Sequence, residues 1–237
     1  MKRLTPTNAG RFDRLSTPQF RDRRHAGQVL AKWLERYREG DVLVLGIPRG
    51  GVPVAAEVAR HLDADLDIIV ARKIGAPSSC ELAIGAVTAN AGRYLNTELI
   101  RELRVPTSYL ETTTKAEQAD AAARERRLRG ERQITRVQGR TVIIVDDGLA
   151  TGATMIAAVR SLRQRHPERI VVAVPVGSPE ACAMLSDEAD EVVCPHQPPT
   201  FWAVGLYYEH FEPTSDVEVM EILQSRSKTS SPAITPS

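Results

Sequence analysis

The sequence predicts an α/β protein built on a doubly wound, mainly parallel sheet flanked by helices, and three observations carry that expectation. Short apolar, β-branched runs recur at Val42 to Gly46, Leu66 to Ala71, Ile84 to Ala89, Thr141 to Val145, Ile170 to Pro175 and Glu191 to Cys194. Segments of helical period separate them, at Val52 to Leu62, Ala153 to Arg165 and Pro179 to Leu185. The strand runs are nearly unbroken rather than alternating, as expected for a parallel sheet covered on both faces, and the intervening helices supply its crossovers.

In chain order, Arg21 to Arg38 carries Val29, Leu30, Trp33, Leu34 and Tyr37 at helical spacing, an amphipathic helix suited to packing on the core. The first strand then runs into Gly46-Ile47-Pro48-Arg49-Gly50-Gly51-Val52-Pro53. Glycine lets a backbone approach an anion and the Arg49 guanidinium supplies several donors, so Arg49, Gly50 and Gly51 are candidate phosphate binders. An ordinary strand-to-helix connection with Arg49 in solvent has the same appearance. The next strand, Leu66 to Ala71, ends in Arg72-Lys73-Ile74-Gly75-Ala76-Pro77-Ser78-Ser79-Cys80-Glu81. A basic pair followed by Gly, Pro and Ser suits a lid that settles on a diphosphate; a plain exposed hairpin is the alternative.

Pro106 to Gly139 reads as a long helical stretch whose arginines, Arg124, Arg126, Arg127, Arg129, Arg132 and Arg136, form the conspicuous basic cluster. Glu111, Glu117, Asp120, Glu125 and Glu131 interleave with them and stacking aromatics are missing, which favours a solvated helix face over a nucleic-acid stripe.

The most informative run is Thr141 to Thr154, which joins a buried strand, two adjacent carboxylates and a loop of small residues opening a helix. At the carboxyl edge of a parallel sheet Asp146 and Asp147 can accept hydrogen bonds from vicinal hydroxyls or help hold a hydrated cation. Strand alternation points them in opposite directions unless the turn re-aims them. From Ala150 through Thr151, Gly152 and Ala153 to Thr154 no side chain exceeds threonine in size. Backbone N–H groups can therefore close around a phosphate at the positive end of the helix.

This run resembles the phosphoribosyl diphosphate (PRPP) signature of the type I phosphoribosyltransferases. In that family the acidic pair contacts the ribose hydroxyls and the loop binds the 5′-phosphate, which implies Asp146 and Asp147 for the first role and Ala150 to Thr154 for the second. The Arg49 turn resembles the family's pyrophosphate loop, and the Arg72-Lys73 segment its mobile catalytic loop. Closest is a subgroup of stand-alone predicted phosphoribosyltransferases that share Phe20-Arg21-Asp22-Arg23, Pro48-Arg49-Gly50-Gly51-Val52-Pro53, Arg72-Lys73-x-Gly and Phe201-x-Ala203-Val204-Gly205. The resemblance covers Phe20 to Leu223 and implies the type I phosphoribosyltransferase fold with a small carboxyl-terminal hood near residues 195–215. It also implies Mg²⁺ as cofactor, PRPP and a nucleobase as small-molecule substrates, and a homodimer. Catalytic work would fall to Asp146, Asp147, Arg72 and Lys73.

Pro198 to Phe211 is the densest aromatic segment, suited either to holding a planar base or to closing the core. It resembles the purine-stacking segment of hypoxanthine-guanine phosphoribosyltransferases, which implies Trp202, or else Phe201, against the base and Glu209 near a diphosphate-bound metal. Those enzymes carry an aspartate just before the loop's Thr-Gly, whereas this chain has Ala150, as in adenine and uracil phosphoribosyltransferases. The acceptor is therefore left open. Some relatives of this fold are PRPP-sensing regulators that bind RNA or DNA, so a non-catalytic sensor is the alternative function.

Composition sets limits. Across 237 residues the net charge is +1, so no global field argues for nucleic acid or an anionic membrane. Cys80, Cys182 and Cys194 show neither metal-site spacing nor an even count, which fits reduced thiols and a cytoplasmic protein. No run is long enough to span a bilayer. Residues 1–19 read as an extension, 20–224 as the phosphoribosyltransferase domain and 225–237 as a disordered tail, being Ser, Thr and Pro with little to bury.

Overall fold

The computed structural model describes residues 19–90 and 92–227. Five strands pair in parallel in the order β2 (Asp65–Ile68), β1 (Val42–Gly46), β6 (Thr141–Val145), β7 (Arg169–Ala173) and β8 (Glu191–Val193). Alternation along each strand divides the core in two. Val42 and Val44 of β1, with Ile143 and Val145 of β6, pack toward α1 (Arg23–Trp33), α2 (Gly51–Leu62), α4 (Thr107–Arg129) and α7 (Asp216–Ser227). Leu43 and Leu45, with Val142 and Ile144, pack toward α5 (Ala153–Arg163) and α6 (Pro179–Ser186). Each such fully buried side chain contributes roughly 1.5–3 kcal/mol of transfer free energy, which explains why both strands are apolar on both faces.

Strand order positions the site. After β1 the chain crosses to β2 on one side, and after β6 it crosses to β7 on the other. The two connecting helices, α2 and α5, lie on opposite faces, so the turns that follow β1 and β6 diverge and leave a crevice between them.

A second sheet stands apart from the first. β3 (Ala71–Ala76), β4 (Ser79–Thr88) and β5 (Arg93–Leu95) form an antiparallel meander, in which Ile74, Ala76, Ile84 and Val87 pack on Leu99 and Ile100 of α3 (Thr97–Glu102) and on Tyr109 and Leu110 of α4. This corrects two expectations. The run Leu66 to Ala71 is not one strand, because pairing with β1 ends at Ile68 and a new strand of the other sheet starts at Ala71. Arg72 and Lys73 therefore lie in β3, paired with Val87 and Ala86, rather than on a loop leaving the central sheet. The strand expected at Ile84 to Ala89 exists, but in the antiparallel sheet.

Helix boundaries differ too. The long helical stretch ends at Arg129, where Gly130 takes a φ of 61° and donates its N–H to Arg126 O. The basic cluster is a solvated face only in part, at Arg126, Arg127 and Arg136. Arg129 is buried and bonded to Asp67, Glu125 and Ile68 O, Arg132 donates to Leu66 O and Leu223 O, and Arg124 and Arg127 pair with Asp216. Helix α7 was not anticipated; it carries Ser225 to Ser227, which the sequence placed in a disordered tail. Residues 1–18 of the expected extension and 228–237 of that tail lie outside the described residues. Trp33, assigned by spacing to the apolar face of the first helix, is 58% exposed.

Candidate functional site

The two turns meet through glycine. The Ile47 N–H donates to Val145 O, which ties the end of β1 to the end of β6, and the peptide between Pro48 and Arg49 is cis. A Cβ placed on Gly51 would lie 2.6 Å from Val145 O and 2.8 Å from Asp146 Cα, and one on Gly50 would lie 2.6 Å from Asp147 Cγ and overlap its Oδ2. Both carboxylates thus come to one turn, against the expectation from strand alternation alone. Burial raises the Asp146 carboxyl well above its ordinary value, and the charge of Asp147 adds to the rise. Burial raises Asp147 as well, while Arg23 pulls it back.

Arg23 belongs to the amino-terminal motif, and the sequence alone assigns it no role. Its Nε donates to Asp147 Oδ2 at 2.8 Å, its Nη1 donates to Glu212 O at 2.7 Å, and its guanidinium lies 3.9 Å over the Phe211 ring. Tyr208 is a second residue whose role was missed: its hydroxyl donates to Asp147 O at 2.5 Å, and burial, with the charge of Asp147, pushes its phenol up. Phe20 packs against the Tyr208 ring and joins the same apolar cluster. The amino-terminal motif and the hood therefore close together on Asp147. The signal available in sequence was the motif itself, two arginines flanking an Asp22 that caps α1 by accepting from the His25 N–H.

The loop after the pair is anchored on its far side. Leu149 is buried and donates its N–H to Val176 O, Ser178 donates its N–H to Leu149 O and its hydroxyl to Ala150 O, and Gly152 takes a φ of 76° to enter α5. Ala150 and Thr151 are exposed, while Gly152 and Ala153 are buried and Thr154 half-buried. The loop thus has the backbone of a helix amino terminus beside two carboxylates, the geometry of an anion cradle. Val204 of the hood packs on its first residue, since a Cβ on Gly148 would lie 2.5 Å from Val204 Cγ1.

Trp202 and Phe201 line an open cleft of about 570 Å³ together with Ala150, Thr151, Ala153, Tyr94 and Met184. The Phe201 ring is stacked on Tyr207, with centroids 5.4 Å apart, whereas Trp202 is 71% exposed. Of the two aromatics, Trp202 is the one with a ring face to offer.

The remaining sequence candidates are not gathered here. Arg49 is half-exposed, with Nη1 4.0 Å from Asp216. Arg72 is committed to α4, its Nε donating to Glu117 at 2.7 Å and its Nη2 lying 3.6 Å from Asp120; Lys73 is exposed on the same strand. Glu209 is exposed and does not join Asp146 and Asp147, for among the described residues no group of three or more His, Cys, Asp or Glu side chains could hold a metal ion. The aspartate pair nonetheless fits a hard divalent cation, because two adjacent half-buried carboxylates at the crevice offer hard oxygen donors. It is no all-protein cage; a cation there would complete its shell with water and substrate oxygens. No helix among the described residues is long and apolar enough to cross a membrane.

Known proteins share this arrangement of elements. A provisionally named phosphoribosyl transferase of Mycobacterium tuberculosis is 42% identical over 204 residues, which are 86% of this chain; the chain spans about half, 46%, of that relative's length. The crystal structure of TT1426 from Thermus thermophilus shares 44% identity and a TM-score of 0.75, covering 88% of this chain and 99% of that one. A uracil phosphoribosyltransferase of Nocardioides is 37% identical over 59 residues, 25% of this chain and 28% of its own. The model of the phosphoribosyl transferase domain matches residues 19–210, the span that holds both turns, the aspartate pair, the loop and most of the hood. The chain belongs to the phosphoribosyl transferase family.

Proposed function

We propose that this chain binds PRPP with Mg²⁺ in the crevice between β1 and β6 and transfers the 5-phosphoribosyl group to a nitrogenous base with release of diphosphate. The observation that carries the reading is the meeting of Asp146 and Asp147 with the Gly50-Gly51 turn, directly before an amide-lined loop at the start of α5. Cleavage between C1′ and diphosphate develops positive charge on the ribose and negative charge on the leaving group, so placement and charge do most of the work. Ala150 to Thr154 would anchor the 5′-phosphate, the aspartates would orient the ribose hydroxyls, and the backbone of Gly50 and Gly51 would approach the diphosphate. Bound magnesium would neutralise charge on the diphosphate oxygens while held through Asp146 and Asp147.

Arg49, half-exposed at the lip of the turn, would swing toward the diphosphate, and Lys73 on the β3–β4 hairpin would help cover it. Arg72 would have to exchange its half-exposed pairing with Glu117 for the diphosphate in order to act on it. Trp202 is the proposed face for the acceptor, in a cleft continuous with the phosphate loop. Ala150 and the short likeness to a uracil enzyme favour an acceptor other than a 6-oxopurine.

The test is diphosphate release from PRPP across a panel of purine and pyrimidine bases, with products identified by mass. A base-dependent nucleotide product supports the transferase. PRPP binding with every base inert would move the chain to the sensor class.

A further inference from the structure

We propose that Arg23 is a positioning residue: the built-in counter-ion of Asp147, which holds that carboxylate against the Gly50 turn and leaves Asp146 as the one that meets substrate and cation. The inference rests on the proposed function for the identity of the substrate and narrows the ribose and cation contacts of the aspartate pair to Asp146.

A helix crossing fixes Arg23 in place. α1 and α2 cross at close range, since a Cβ on Gly27 would lie 2.7 Å from both Val54 O and Glu57 Cβ. Arg23, the first residue of α1, is thereby kept at a fixed distance from Gly50, the residue before α2, and its Nε would lie 3.0 Å from a Cβ there. Its side chain is 12% exposed and gripped from three sides, by the Asp147 carboxylate, the Glu212 carbonyl and the Phe211 ring. A planar guanidinium fixed by two directed donors and a stacking face has little freedom to turn elsewhere. Asp147 is fixed in return, its carboxylate by Arg23 and its carbonyl by the Tyr208 hydroxyl. Asp146 accepts the Asp147 N–H and lies against Gly51, with no ion pair of its own among the described residues.

The division of labour follows from charge. Two adjacent carboxylates would draw a divalent cation strongly, whereas with Arg23 in place one is directly ion-paired and the other feels the guanidinium only at longer range. Metal affinity is thereby kept low until diphosphate oxygens add their own charge, so that the cation enters with the substrate. The chain's own arginine sets this order.

Mn²⁺ titration of the substrate-free protein, followed by the resonance of the free ion, tests the claim without PRPP. R23Q should tighten Mn²⁺ binding by about tenfold, equivalent to ~1.4 kcal/mol, and adding D147N should remove the gain. R23K, which keeps the charge but loses the fork and the stacking face, should tighten binding less than R23Q does, and the neighbouring control R24Q should match the parent. In an independent arm that leaves Arg23 untouched, D146N should abolish Mn²⁺ binding while D147N changes it by less than about threefold, because Asp147 is already satisfied. In turnover, R23Q should lower kcat by about 10²-fold with a much smaller effect on KM for PRPP. Unchanged Mn²⁺ affinity in R23Q, or D147N weakening the metal more than D146N, would overturn the proposal. So would a loss confined to thermal stability. If the parent fails to bind PRPP, the proposed function falls, and the Mn²⁺ series still decides the role of Arg23.

Discussion

Gly50 and Gly51 occupy positions where a methyl group has no room, but the obstacles differ. At Gly51 they are backbone atoms of Val145 and Asp146; at Gly50 the first is the carboxylate of Asp147. G51A should therefore cost stability, about 1–3 kcal/mol by urea denaturation, because strand β6 cannot yield. G50A should cost less stability and more function, since the carboxylate can move only by giving up its pairing with Arg23; PRPP affinity is the readout. The aspartate pair, the glycines and the loop were legible because they are adjacent in sequence and each carries a local chemical reason. Arg23 and Tyr208 were not, since their partner Asp147 lies 124 and 61 residues away and only folding brings them together.

Among the elements, α4 shows why a charge run resists interpretation from sequence. Arg129 sits among Asp67, Glu125 and the Ile68 carbonyl; burial alone would lower its proton affinity, and the two carboxylates more than offset that. R129M leaves Asp67 buried without its cation and should destabilise by roughly 3–5 kcal/mol in denaturant melts, whereas R126Q, on the exposed side, should change little. At the start of α7, burial tends to raise the Asp216 carboxyl, but Arg124 and Arg127 together hold it below its ordinary value. A depressed carboxylate contributes stability above its unfolded value, near 3.8, and loses it as pH falls through the lower folded value. The stability gap between the parent and D216N should thus be constant at neutral pH and close below about pH 4. Helix α7 itself could have been found. Ser215 accepts the Glu218 N–H and stands three residues before it, the spacing of a capping box, with Val219 and Leu223 buried one turn apart. The β3–β4 hairpin was harder, because Leu66 to Val70 is continuously apolar apart from Asp67 across the change of sheet, and Asp67 marks a buried ion pair, not a strand end.

Across the whole chain, strand periodicity was enough for the doubly wound sheet, since alternate residues of β1 and β6 serve two separate cores. What sequence could not convey is which side of the crevice each loop faces. Strand order sets that, with β1 feeding α2 on one face and β6 feeding α5 on the other. The functional reading stands or falls on whether this crevice grips an activated ribose phosphate. Calorimetric titration with PRPP in the presence of magnesium decides the matter. One saturable site per chain is expected, weakened at least about tenfold by D146N and by replacing Gly152 with a bulky residue. Absence of PRPP uptake with magnesium present, or saturable binding of ATP or NAD in its place, would contradict it.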